Sequence, residues 1–109
     1  MGLTKSEAFE PQHNTLAAFA KALAHPARVA IIEYLLEGDR CICGDLVEVL
    51  PLAQATVSQH LTELKKAGLI KGTITGTSIC YCLDKEQWAR CISAIQQLVE
   101  KVKNVTHCC

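Results

Sequence analysis

Apolar residues early in the chain recur at helical spacing: Leu16, Phe19, Ala20 and Leu23 fall on one face of a helix that begins near Thr15. The polar stretch over residues 1–11 ends in Pro11 and reads as a flexible arm. Pro26 suits the first turn of a second helix, where its missing N–H costs no hydrogen bond, and His25 is placed to cap it. Val29, Ile32, Leu35 and Leu36 form that helix's buried stripe, with Gly38 as its stop. Leu46, Val47 and Leu50 then predict a short third helix broken by Pro51. A fourth helix starts at about Gln54, carries Val57, Leu61 and Leu64, and ends at Gly68. Two helices so close in sequence fit a helix-turn-helix.

The period then changes. Ile70, Ile74, Ile79, Tyr81 and Leu83 sit among threonines, and Thr75-Gly76 can turn the chain, which predicts a β-hairpin with Ile79, Tyr81 and Leu83 facing the core. Asp84 and Gln87 form a capping-box pattern for a last helix. On it, Trp88, Ile92, Ile95, Val99 and Val102 recur at spacings of four and three, a seam with the coiled-coil period. Such a seam calls for a partner helix. That partner is either its own copy in a homodimer, with Leu16 and Phe19 in the same interface, or the first helix of its own chain. The element order defines a mainly α chain with a small β-hairpin (α+β), that of a dimeric winged helix-turn-helix. Residues 12–104 form this domain, and residues 105–109 a cysteine-bearing tail.

Composition changes this picture little until the cysteines. At 109 residues the chain is one domain, and its eleven basic and eleven acidic residues cancel, which argues against a simple polycation. No run approaches the roughly 18–20 apolar residues of a membrane span, and Lys5, Glu7 and Glu10 interrupt any secretory leader, so a cytoplasmic protein without a membrane partner is expected. Seven cysteines are an odd number for a disulfide framework, which that compartment also disfavours. They cluster as two Cys-x-Cys pairs, 41/43 and 80/82, and one adjacent pair, 108/109, leaving Cys91 as a core or interface residue. A Cys-His dyad, a Gly-rich phosphate loop and paired carboxylates are all missing, so an enzyme and an organic cofactor are not expected.

In a helix-turn-helix the second helix enters the major groove and presents its N-terminal half to base edges. Here that half offers Gln54, Thr56, Ser58, Gln59 and His60, side chains able to bond bases or phosphates. Lys65, Lys66 and Lys71 can neutralise backbone phosphate, with Thr75 and Thr77 in the wing, so the expected partner is double-stranded operator DNA.

Within a helix, residues i and i+2 point to nearly opposite sides, so a Cys-x-Cys pair chelates only on extended backbone or at a helix start. Cys41 and Cys43 lie at such a place, after Gly38 and before the third helix. A helix N-terminus also favours the thiolate. Cys80 and Cys82 share one face of a strand and either chelate together or lie on its partly exposed side.

The segments "ALAHPARVAIIEYLLEG", "CICGDLVEVL", "QATVSQHLTELKKAGLI" and "TGTSICYCLD" resemble, in order and spacing, the ArsR/SmtB family of metal-sensing repressors, from about Leu16 to Leu98. The resemblance implies a dimeric repressor that binds its operator when empty and releases it when an inducer binds. It also implies that Cys41 and Cys43, before Asp45-Leu46, match the inducer site of arsenite- and cadmium/lead-sensing members. The chain departs from the family at Ala53, where a capping Ser is usual, and in a wing without arginine. It departs again at Leu46, where one arsenite-sensing branch has a third cysteine. As(III) or Sb(III) wants three thiolates, and Cd(II) or Pb(II) three or four, so Cys108 and Cys109 are the candidates to complete the set. Alternatively, the terminal pair forms a separate two-thiol site, or the thiols sense oxidant or persulfide. The family's zinc site is not expected, because no histidine lies between Lys85 and Asn104.

Overall fold

The structure, a computed structural model, describes residues 7–38, 42–43, 50–76 and 78–106, with backbone alone at Ile42, Cys43, Thr75 and Ser78. Its elements are α1 (Pro11–Ala22), α2 (Pro26–Gly38), β1 (Ile42–Cys43), α3 (Gln54–Lys66), β2 (Ile70–Thr75), β3 (Ser78–Leu83) and α4 (Lys85–Lys103). Helix α1 opens four residues earlier than the apolar pattern indicated, because Pro11 at its first position has the φ a helix needs. Apart from Leu50, the short helix expected around Leu46 and Val47 lies outside the described residues.

Local chemistry fixes the helix ends. The Ala27 N–H donates to His25 Nδ1 at 3.0 Å, the cap expected for α2. Helix α3 stops in a left-handed Gly68 (φ 80°), where Gly68 N–H donates to the Lys65 carbonyl and Leu69 N–H to that of Leu64, the two bonds of a Schellman ending. Asp84 caps α4 by accepting the Gln87 N–H at 3.2 Å. The Gln87 side chain does not complete the capping box; its Nε2 donates to the Ala67 carbonyl at 2.9 Å. Trp88 Nε1 donates to the Leu69 carbonyl at 2.9 Å, and Asp84 N–H to the same carbonyl at 3.2 Å. The start of α4 is thereby clamped to the turn that ends α3.

The sheet is antiparallel in the order β1-β3-β2. Ile70 pairs with Leu83 and Thr75 with Ser78 across the hairpin, while Ile42 and Cys43 oppose Tyr81 and Cys80. The core joins Phe19 and Ala22 of α1, Ile31, Ile32 and Leu35 of α2, Val57, Leu61 and Leu64 of α3, Leu69, Ile70 and Cys91. Tyr81 and Leu83 pack against it, whereas Ile79, expected inside, is 43% exposed beside its partner Ile74 at the wing tip. Among the described residues, no single helix is long and apolar enough to cross a membrane.

Candidate nucleic-acid interface and thiol positions

Helix α3 buries one stripe, Val57, His60, Leu61 and Leu64, and leaves its other side open. Gln54, Thr56, Ser58 and Gln59 are exposed along that open side, as are Lys65 and Lys66 at its end. Thr62, which sequence reasoning passed over, is also exposed and donates back to the Ser58 carbonyl at 2.9 Å. Lys66 stands 3.6 Å from Glu63, and Lys71 on β2 stands 3.9 Å from Asp84, each an exposed lysine at long range from a half-buried carboxylate and therefore a weak pair. Ala53 holds the N-cap position of α3 without a side-chain cap. Thr75 is described in backbone alone and Thr77 lies outside the described residues. The wing tip offers Ile74, 78% exposed, in place of the arginines a basic wing would carry.

His60 does not belong with the exposed residues. It is 7% exposed, its ring lies 4.3 Å from that of His25, and its Nδ1 accepts from Arg28 Nε at 3.1 Å. It therefore packs inward against α2, and it sits in the i, i+3, i+4, i+7 stripe that the helical period assigns to the core. With Nδ1 accepting, the neutral ring carries its proton on Nε2, which is buried without a partner. Burial first, then the charges of His25 and Arg28, hold its pKa below the ordinary 6.5.

Arg28 is the positioning residue that sequence reasoning missed. Its Nη1 donates to the Lys21 and Ala22 carbonyls at 3.2 and 3.3 Å, so one guanidinium ties the end of α1 to the middle of α3. The signal was available as a basic residue three positions after a capping histidine, on the inward side of α2.

The expected dimer seam divides into two parts. Ile92, Ile95 and Val102 present an exposed apolar row on α4, beside half-buried Val99. Phe19 is 5% exposed within this chain's own core and is corrected from interface to interior, whereas Trp88 is half-buried and packs against the edge of that core. Leu16 is half-buried in an open groove between α1 and α4 that Leu98 also lines.

Cys41, Cys108 and Cys109 lie outside the described residues, and Cys43 is described in backbone alone. Among the described residues, no three His, Cys, Asp or Glu side chains gather as a metal site. Cys91 is fully buried and free, and burial raises its pKa, which makes it a core thiol. Cys80 and Cys82 are disulfide-bonded, a state not expected from the odd cysteine count.

Two helices set to place an exposed polar helix beside a β-hairpin, with a clamped helix after it, define a winged helix-turn-helix regulator. Residues 25–71 match the family profile of the bacterial regulatory proteins of the arsR family. The chain is 34% identical over 99 residues to the HTH-type transcriptional regulator CmtR of Mycobacterium bovis, covering 91% of this chain and 83% of that protein. It is 38% identical over 87 residues to a cadmium resistance transcriptional regulatory protein CadC homolog of Staphylococcus aureus, covering 79% and 65% respectively. The solution structure of the homodimeric winged helix-turn-helix DNA-binding domain Mb0332 of M. bovis, a possible ArsR-family regulator, superposes with a TM-score of 0.60 at 26% identity, covering 100% of this chain and 97% of that one. The chain belongs to the ArsR/SmtB family of transcriptional regulators.

Proposed function

We propose that this chain is a homodimeric repressor that holds operator DNA through α3 and the wing and releases it when a thiophilic metal(loid) binds Cys41 and Cys43. As(III) or Sb(III) is the preferred inducer, with Cd(II) and Pb(II) as alternatives, and Cys108 and Cys109 are candidates to complete the thiolate set. DNA contact rests on Gln54, Thr56, Ser58 and Gln59, with Lys65, Lys66 and Lys71 on phosphate and Thr75 and Thr77 in the wing. His60 supports these residues from inside. Ile92, Ile95, Val99 and Val102, with Leu16 alongside, supply the dimer face. The supporting observation for the inducer is that Cys43 lies on β1, in the link between α2 and the recognition helix. The cadmium named in the CadC homolog's description points the same way.

A second reading, a repressor released by thiol oxidation or persulfide, has one observation of its own: Cys80 and Cys82 are disulfide-bonded. One titration separates the two. A mobility shift on the protein's own upstream DNA is run with arsenite and with cadmium under a thiol-free reductant, and with polysulfide in its absence. Release by the ions while reduced is expected. Release by polysulfide alone overturns the ion reading.

A further inference from the structure

The core face of the β2–β3 hairpin does not stop where the core does. Ile70 pairs with Leu83, Gly72 with Tyr81 and Ile74 with Ile79, and alternation puts all six on one sheet face. At the near end Ile70 is 3% exposed, and Tyr81 and Leu83 pack against the core. At the far end Ile74 is the most exposed large apolar side chain among the described residues, with Ile79 half out of the core beside it. Helix α3 meets the same face. A Cβ placed on Gly72 would stand 3.3 Å from Lys65 Nζ, 3.3 Å from Tyr81 Cε1 and 3.4 Å from Ile79 Cγ2. The bare backbone at Gly72 thus admits the ammonium from the last turn of α3 and sets it next to Ile79. The end of α3 and the wing tip form one continuous surface, a cation beside a pair of isoleucines.

Two side chains offer far less than the roughly 1,200 Å² that a specific protein–protein interface buries. They are about the size of what fills one opened base step. Proteins that bind the minor groove set Ile, Leu, Phe, Met or Pro between base steps and bend the duplex in doing so. A β-branched isoleucine has few χ1 states to lose on entering. We propose that Ile74, backed by Ile79, is an apolar wedge that enters the minor groove of operator DNA beside a phosphate held by Lys65. This rests on the reading above that α3 and the wing hold operator DNA, and it names what the wing touches and selects. A wedge reads how easily a step opens, not the hydrogen bonds of base edges. The pyrimidine–purine steps TA and CA/TG unstack most readily, so the wing selects such a step flanking the α3 contacts. Ile74 carries no charge, so its contact releases no counterion and adds affinity that salt does not remove.

The test uses the full-length protein and its own upstream DNA, with the bound site located by footprinting. Operator affinity is measured by mobility shift across a salt series for the natural chain, Ile74→Ser, Ile74→Leu and Lys65→Gln. Bending is read from the mobility of circularly permuted fragments. Ile74→Ser is expected to weaken binding about tenfold at every salt concentration, with the salt slope kept and the bend reduced. Ile74→Leu is expected to recover most of both. Lys65→Gln is expected to lower the slope by about 0.9, one phosphate contact. Replacing the flexible step under the wing by GC should weaken the natural chain and leave Ile74→Ser no weaker than before. Ile74 is largely in solvent, so Ile74→Ser should keep the urea midpoint, which separates lost binding from lost folding. Unchanged operator affinity and bend in Ile74→Ser overturn the wedge and leave the tip to a protein partner. A loss that comes with a shallower salt slope overturns it as well, because the tip then only positions phosphate contacts. Failure of the natural chain to bind its upstream DNA refutes the operator reading itself, and the wedge with it.

Discussion

Replacing Arg28 by alanine removes the tie between the end of α1 and the middle of α3 without touching any residue on the exposed side of α3. Three hydrogen bonds are lost: Nε to His60 Nδ1 at 3.1 Å, and Nη1 to the Lys21 and Ala22 carbonyls at 3.2 and 3.3 Å. A hydrogen bond from a charged donor contributes about 1.5–3 kcal/mol, and a buried acceptor left bare costs about 1–3 kcal/mol. Arg28 is half-buried and the Lys21 contact is exposed, which takes the sum toward the lower end, about 2–3 kcal/mol for Arg28→Ala. His60→Ala should lose a similar amount, since it empties a site that is 7% exposed and packed at a tilt against His25. If the two side chains act through their shared bond, the double variant loses less than the sum of the singles, by about 1–1.5 kcal/mol. Urea unfolding at one fixed protein concentration measures this coupling, because a dimer's apparent stability depends on concentration. Operator affinity by mobility shift should fall by a similar factor in each single variant. A coupling below about 0.3 kcal/mol, the additive limit, would refute the assignment of Arg28 as the residue that positions α3.

Ala53→Ser supplies the missing side-chain cap of α3 and should raise stability by about 0.5–2 kcal/mol, read as a higher urea midpoint at unchanged slope. Gly68→Ala should destabilise by about 1–3 kcal/mol: φ is +80°, and a Cβ would stand 3.0 Å from the Gln87 side chain that holds the Ala67 carbonyl. Stability should also fall on acidification. The folded state holds His60 below its ordinary pKa of 6.5, so the unfolded chain takes up a proton that the folded chain refuses. This contribution is complete above about pH 6.5 and is lost below it, at no more than about 1.4 kcal/mol per pH unit. Urea midpoints between about pH 7.5 and about pH 5.5 follow it, and His60→Gln should flatten the dependence; an unchanged slope in that variant contradicts the assignment.

The parts legible in the sequence were those where period and punctuation agreed. His25 caps α2, Gly68 ends α3 and Asp84 starts α4 because each rule is local and needs no partner from elsewhere. His60 was misplaced for the opposite reason: its period assigned it to the buried stripe, while its polarity suggested the exposed side. Only a long-range partner, Arg28 thirty-two positions away, makes its burial tolerable. Phe19 shows a second limit. Apolar periodicity says that a face must be covered, not by which chain, and here its own core takes Phe19. For Cys80, alternation set it on the face away from Tyr81 and Leu83, but the expected partial exposure was wrong, because β1 pairs alongside and the residue is buried. The two-residue β1 is too short to announce itself as a strand.

Magnitudes also constrain how the proposed inducer can release DNA. Coupling between two sites is typically worth about 1–3 kcal/mol, or 5–150-fold in affinity. Helix α3 is held by Val57, Leu61 and Leu64, each at most 7% exposed, and burying such side chains contributes about 1.5–3 kcal/mol apiece. Together these exceed the coupling, and the hydrogen bond to Arg28 adds to them. On the proposed reading, inducer binding therefore cannot peel α3 from the core or unwind it. What it can do is reorient units that are already rigid. Strand β3 pairs with β1 and β2, the Gly68 ending joins β2 to α3, and Gln87 and Trp88 fasten that corner to α4, the helix with the exposed apolar row. On the proposed reading, a shift at this sheet would be carried as a body to the recognition helix and to the proposed dimer face. In a dimer, a small rotation at that face changes the separation of the two α3 helices, and half-site spacing on DNA is what a paired helix-turn-helix reads most sharply.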